Sequence, residues 1–239
     1  MPSLRPFARL LRPRTGVRRS AALVREGNDA VRDGDLAAAL KAYNAAIEED
    51  PDNAYAWNNK GLVLETLGQG TEALRCHNRA IKMRPDYVEA WVNKASALLH
   101  MGRFDRANAA LDVAQDLAPN HELVWTNRGI AHARQGHPAE ALKCFERALE
   151  VDPEYVPALM DRGSALAQLG RPDDALDCYT RVLQKRPDYA DGWFHKGRVL
   201  FEAGRPKASI MCLEKALEIS PRFDAARGLL VRARGREAE

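Results

Sequence analysis

The sequence lacks what a membrane span, a secretory leader or an active site would need. None of its 239 residues belongs to an apolar run of the roughly 18 residues needed to cross a bilayer. Arginines interrupt every apolar stretch near the start, so the apolar centre of a secretory signal is missing. That pattern predicts a chain that stays in a reducing compartment. Cysteine is scarce: Cys76, Cys144, Cys178 and Cys212 include no pair with the two-to-four-residue spacing of a zinc knuckle. The six histidines do not cluster, and there is no nucleophile elbow, phosphate-cradling glycine loop or two-histidine metal helix. The expectation is a protein without catalytic activity, metal or cofactor.

Acid is absent from residues 1–19, which hold Arg5, Arg9, Arg12, Arg14, Arg18 and Arg19. The whole chain is +3 and this segment is +6, so the remainder is −3. A mildly acidic body is not a nucleic-acid binder on charge alone. The arm, expected to be disordered, offers a secondary contact for polyanions through its six arginines. Phe7, Leu10 and Leu11 give it a short amphipathic stretch, limited by Pro6 and Pro13. An acid-free, arginine-rich start also has the look of an organelle-targeting segment, so both a cytoplasmic and an organellar location stand open.

What the chain does have is a period. Pro51, Pro85, Pro119, Pro153, Pro187 and Pro221 are each 34 residues apart, with no insertion. With these prolines as position 32, the units run 20–53, 54–87, 88–121, 122–155, 156–189 and 190–223. Position 15 is Gly34, Gly68, Gly102, Gly136, Gly170 and Gly204. Position 8 is Gly27, Gly61, Ala95, Gly129, Gly163 and Gly197. Position 4 is Leu23, Trp57, Trp91, Trp125, Leu159 and Trp193. Position 24 is Tyr43, His77, Leu111, Phe145, Tyr179 and Leu213.

Each column has a mechanical meaning. Glycine at 15 ends a first helix in the left-handed conformation. Pro138, Pro172 and Pro206, two residues later, suit the first turn of a second helix. Proline at 32 stops that helix. Small residues at 8 let the two helices approach, and large ones at 4 and 24 fill the space between them. The cysteines all fall at position 23, one repeat apart, on the order of 10 Å from each other, so they read as small structural residues rather than disulfide partners. Residues 224–239 form a closing segment. There Leu229, Leu230 and Val231 cover the last repeat, and Arg227, Arg232, Arg234 and Arg236 face solvent.

These columns resemble the tetratricopeptide repeat family, whose pattern of Trp, Leu-Gly, Tyr, Ala, Phe and Pro has this spacing. The resemblance covers residues 20–223. It implies an all-α, right-handed superhelical α-solenoid of six helix-turn-helix repeats, closed by a C-terminal capping helix. One column departs from the pattern. Position 7, often Leu in the family, is Glu26, Lys60, Lys94, Arg128, Arg162 and Lys196. Their aliphatic stems can cover apolar surface while the charges reach water.

In the family, positions 2, 5, 6, 9, 12 and 13 of the first helices line a concave groove. The binding residues implied here are Arg25, Asn28, Tyr55, Asn59, Asn93, Asn127, Arg134, Asp161, Phe194, His195, Arg198 and Phe201. Asn59, Asn93 and Asn127, all at position 6, suggest a ladder that reads a peptide backbone, since Asn both donates and accepts. A clamp for a C-terminal carboxylate is incomplete, because Val24, Glu89 and Asn93 occupy places where it needs other groups. Phe194 and Phe201 offer an aromatic anchor or pack on the closing helix.

The resemblance thus implies an adaptor or scaffold that binds an extended peptide or partner helix. The alternatives are a regulatory subunit that docks an enzyme or secretion machine, and a tether to nucleic acid or anionic membrane through the arm.

Overall fold

The computed structural model describes residues 14–237. Among them are thirteen α-helices and no strands. They fall into two compact units, divided between Leu117 and Ala118. The first contains α1 (Arg14–Arg32), α2 (Leu36–Glu49), α3 (Ala54–Thr66), α4 (Gly70–Met83), α5 (Val88–His100) and α6 (Phe104–Leu117). The second contains α7 (Glu122–Arg134), α8 (Pro138–Val151), α9 (Val156–Gln168), α10 (Pro172–Lys185), α11 (Ala190–Glu202), α12 (Pro206–Ile219) and α13 (Asp224–Glu237). Each unit stacks three helical hairpins as an α-solenoid, and the second adds one closing helix.

The hairpins share one construction. All six position-15 glycines have φ between 69° and 81°, where a Cβ is disfavoured. At Gly68 the amide of Gln69 reaches Leu64 O at 2.8 Å and that of Gly68 reaches Glu65 O at 2.9 Å. This pair of bonds satisfies carbonyls that the helix end would otherwise leave open. Pro138, Pro172 and Pro206 begin α8, α10 and α12, where the missing N–H costs nothing. The second helices end where position 32 forces its predecessor out of the helical region. Asp50, Arg84, Asp152, Arg186 and Ser220 accordingly have φ between −143° and −128°.

The two helices of a hairpin meet at positions 8 and 24. Tyr43, His77, Phe145 and Tyr179 are all essentially buried. A Cβ added at Gly27 or Gly61 would stand 2.5 Å from the Tyr43 or His77 ring. At Gly197, opposite the smaller Leu213, it would stand 3.0 Å away. Ring side chains therefore demand glycine, while leucine leaves more room. The third repeat pairs Ala95 with Leu111, both fully buried.

The tryptophans do more than fill space. Each is half-buried and donates its indole N–H to the position-32 proline carbonyl of the preceding repeat. Trp57 bonds Pro51 O at 2.9 Å, Trp91 bonds Pro85 O at 2.9 Å, Trp125 bonds Pro119 O at 3.0 Å and Trp193 bonds Pro187 O at 2.8 Å. Where position 4 is Leu159, Arg181 Nη2 takes over and bonds Pro153 O at 2.7 Å. In α13 Arg227 occupies position 4 and bonds Pro221 O at 2.5 Å. The position-7 cations lie over these indoles. Lys94 Nζ is 4.7 Å from the Trp91 ring centre, and Lys60 and Lys196 are each 5.7 Å from theirs. Burial, with Arg106 nearby, lowers the pKa of Lys94. The four cysteines are buried and free, and burial pushes their thiols up.

Both ends refine the sequence expectations. Helix α1 starts at Arg14, so residues 14–19, assigned by the sequence to a disordered arm, belong to the first helix. The extra turns have partners on α2. Arg19 pairs with Glu49 at 3.1 Å, and Ser20 Oγ, fully buried, donates to Ala46 O at 2.7 Å. Residues 1–13 of the arm, with Arg5, Arg9 and Arg12, lie outside the described residues. At the other end Ala226, Leu229, Leu230 and Ala233 pack on Phe201, Leu213 and Ala216, whereas Val231, expected to join them, points outward and is 68% exposed.

Two outcomes follow. Trp91→Ala removes a large half-buried ring and lowers stability by about 3 kcal/mol. Trp91→Phe keeps most of the ring and loses about 1 kcal/mol with the N–H. Urea unfolding of both variants decides, and an unchanged Trp91→Phe would strip the proline contact of any role. Deleting residues 224–239 uncovers Phe201, Leu213 and Leu217, so the truncated chain melts lower and self-associates. A truncation that stays monomeric with the parent's melting point would show that α13 covers nothing of consequence.

Candidate binding face

In the first unit, polar side chains of the first helices gather around the tips of two position-24 residues. The Tyr43 hydroxyl donates to Asn28 Oδ1 at 2.7 Å, and the same oxygen accepts from Asn59 Nδ2 at 2.9 Å. Burial raises the pKa of Tyr43. Asn28, Tyr43 and Asn59 line a cleft of about 290 Å³ with Val31, Leu62 and Thr66. One repeat on, His77 is fully buried between Asn58 and Glu65. Its Nδ1 lies 3.0 Å from Asn58 Oδ1 and its Nε2 lies 2.8 Å from Glu65 Oε1. Asn58 Oδ1 also accepts from Asn93 Nδ2 at 3.1 Å. These contacts knit α3, α4 and α5 together.

Tyr55 is 49% exposed. It meets Tyr87 edge-on at 5.1 Å between ring centres. Arg84 lies over both rings, at 5.2 and 5.9 Å, and donates to the Tyr55 hydroxyl. Burial pushes Tyr87 up to about 12. Arg25 is exposed on α1.

In the second unit Asn127 is only 9% exposed, and its amide donates to Leu123 O of its own helix at 3.0 Å. Asp161 is half-buried on α9, and burial raises its carboxyl to about 6 against an opposing pull from Arg134. Tyr155, Tyr179 and Tyr189 are pushed up mainly by burial and also by the Asp161 charge. His195 stacks on Tyr179 with ring centres 5.9 Å apart, and burial lowers its pKa. Arg198 Nη2 is 3.5 Å from His195 Nδ1, and its Nη1 is 3.7 Å from Glu202. Phe194 packs between His195 and Phe223. Phe201, implied as a groove residue, is instead buried in the α13 core, with Arg232 and Arg236 over its ring. Arg134 is exposed at the end of α7.

The expected ladder of free amides is therefore modified. Asn59 and Asn93 each give one amide proton to a neighbouring asparagine, and Asn127 turns back on its own helix. Among the described residues no group of three or more His, Cys, Asp or Glu could hold a metal ion. No helix among them is long and apolar enough to cross a membrane.

Models of the tetratricopeptide repeat match residues 24–75, 126–177 and 160–224, and a second model of the same description matches 64–127. The chain belongs to the tetratricopeptide repeat family. Its structure is similar to a chain in the crystal structure of the APC/C hetero-tetramer Cut9–Hcn1. The TM-score there is 0.78 and the identity 18%, over 90% of this chain and 42% of that one. This chain thus spans less than half of that relative's length. It is also similar to PilW, a type IV pilus biogenesis factor, with TM-score 0.73 and 20% identity over 88% of this chain and 98% of that one. A third likeness is to YrrB, described as a tetratricopeptide repeat protein with an unusual peptide-binding site. Its TM-score is 0.53 at 21% identity, over 80% of this chain and 98% of that one. No curated protein matches the sequence.

For a tetratricopeptide repeat chain, the residues that sequence reasoning placed least well are those of column 24. Tyr43 and His77 read as core fillers, yet their polar atoms contact side chains of the first-helix face. The signal was present in a column that mixes Tyr and His with Leu and Phe, since a buried polar tip needs a partner. Asn58, at position 5, was missed altogether.

Asp161 supplies a test of this electrostatic picture. Its carboxyl rises from 3.8 to about 6 on folding. A raised acid stabilises the fold only while protonated, so its contribution is complete below about pH 4 and is lost as pH climbs through 6. Asp161→Asn removes that loss. The variant should match the parent near pH 4 and exceed it by about 2–3 kcal/mol at pH 7. Unfolding curves at both pH values check this, and a difference that does not change with pH would refute it.

Proposed function

We propose that the chain is a non-enzymatic interaction module that holds an extended peptide against the first helices of its repeats. The observation that carries this reading is the placement of polar and aromatic side chains on one helix face. In the first unit they are Arg25, Asn28, Tyr55, Asn59 and Asn93. In the second they are Arg134, Asp161, Phe194, His195 and Arg198. A face of fixed donors and acceptors at a regular spacing suits a ligand whose own donors and acceptors recur along an extended backbone. Membership of a family of stacked repeats supports a binding role. So does likeness in fold to a protein titled as peptide-binding.

Peptides selected from a display library against the full chain test the face. Tyr55→Ala and Arg25→Ala should each weaken a first-unit binder by about ten-fold, the loss of one or two polar or aromatic contacts. Met211→Ala, at a 72% exposed side chain on the second helix α12, should leave affinity unchanged. The proposal fails if selected peptides ignore the first-helix variants and respond to Met211.

A further inference from the structure

Position 24 is tyrosine in two repeats, and the two hydroxyls are in different states. Tyr43 gives its proton to Asn28, at position 9 of its own repeat, and that carboxamide is also held by Asn59 from position 6 of the next. Tyr179 is fully buried, and its hydroxyl proton has no acceptor. The reason is visible in the register. Where the first repeat has Asn28, the fifth has Ser164, whose side chain is two heavy atoms shorter. Where the second has Asn59, the sixth has His195, which stacks on the Tyr179 ring rather than reaching its oxygen.

Arg198, at position 9 of the sixth repeat, is the remaining neighbour, and its buried Nε is likewise without a partner. A guanidinium carries donors only. Arg198 can give a hydrogen bond to the phenol oxygen but cannot take its proton. The Tyr179 hydroxyl proton is thus buried beside a group that can only donate, with no acceptor to receive it, an arrangement that native structures avoid.

We propose that the Tyr179 site receives a carboxamide side chain, Asn or Gln, from a bound peptide, in the place that Asn28 fills from within the chain in the first repeat. This rests on the peptide-binding face proposed above. The carboxamide oxygen accepts from the Tyr179 hydroxyl and from Arg198, as Asn28 Oδ1 accepts from Tyr43 and Asn59. Its N–H₂ group turns toward Asp161, whose charge acts on the Tyr179 hydroxyl. That same carboxylate disfavours an acidic ligand, which would bring a second negative charge and no proton to share. His195, half-buried on α11, moves off the Tyr179 ring to admit the ligand.

The test uses the full chain with isotope-labelled tyrosine and histidine rings, followed by NMR. The probes are N-acetyl-glutamine methylamide and N-acetyl-glutamate methylamide. The glutamine probe should shift the Tyr179 and His195 signals saturably, and the glutamate probe should bind about ten-fold more weakly. Ser164→Asn supplies the carboxamide internally, so it should abolish the response and melt no lower than the parent. Tyr179→Phe keeps the ring and the stack but removes the donor, and it should abolish the response on His195. If Ser164→Asn does not fold, Tyr179→Phe decides alone. A parent without a saturable shift, equal response to both probes, or a response that survives Tyr179→Phe overturns the inference. Library peptides that bind yet ignore Tyr179→Phe overturn it and leave the peptide face standing. If no library peptide binds, the face itself falls, and the small probes still report on the Tyr179 site.

Discussion

The contact between position 8 and position 24 governs the rest of the molecule. A ring can lie against a backbone only where the Cβ is missing, and the hairpins with Tyr43, His77, Phe145 and Tyr179 all supply glycine there. That close approach fixes the depth of the ring. Depth in turn decides where its far atoms emerge. For Phe145 they are carbon and end in the core. For Tyr43, His77 and Tyr179 they are oxygen or nitrogen, and they surface beneath the polar residues of the first helices. The chemistry of the first-helix face is thus set partly from underneath, by a column that looks purely structural.

A second regularity joins one hairpin to the next. The proline at 32 ends a helix and leaves its own carbonyl pointing away from any helical partner. A side-chain N–H reaches that carbonyl at all six prolines, four times from tryptophan and twice from arginine. The requirement falls on the donor rather than on the residue. This explains why Leu159 is tolerated at a tryptophan position: Arg181 reaches the same oxygen from the second helix of that repeat. A residue that appears to break the pattern is compensated elsewhere in the same hairpin.

Much of the architecture was legible in the sequence because it follows from local rules repeated six times. Glycine at 15 and proline at 32 act within a few residues of themselves, and the small residues at 8 act within one hairpin, so counting along the chain suffices. The binding face was less legible because its partners come from different repeats. Position 6 singled out Asn59 and Asn93, which the structure ties to Asn28 and Asn58. Nothing local could reveal that Asn28 and Asn58 take up their amide protons, or that Asn127 bends to its own helix. Phe201 sits at a nominal groove position, yet α13 draws it inward, an effect only of the array's last repeat. The start of α1 was misjudged for a related reason. The period is counted from Ser20, so it is silent about the turns before it, and the contacts that order them lie on α2.

The closing helix has a further meaning. α13 is built like a first helix, with Arg227 serving the proline carbonyl at position 4. At position 8, where every other first helix has Gly or Ala, it carries Val231, 68% exposed. A branched side chain at that point fills the notch into which a following second helix would lower its ring. The helix thus completes the contact behind it, while its position 8 has a shape that the ring-against-glycine contact of the other hairpins could not use.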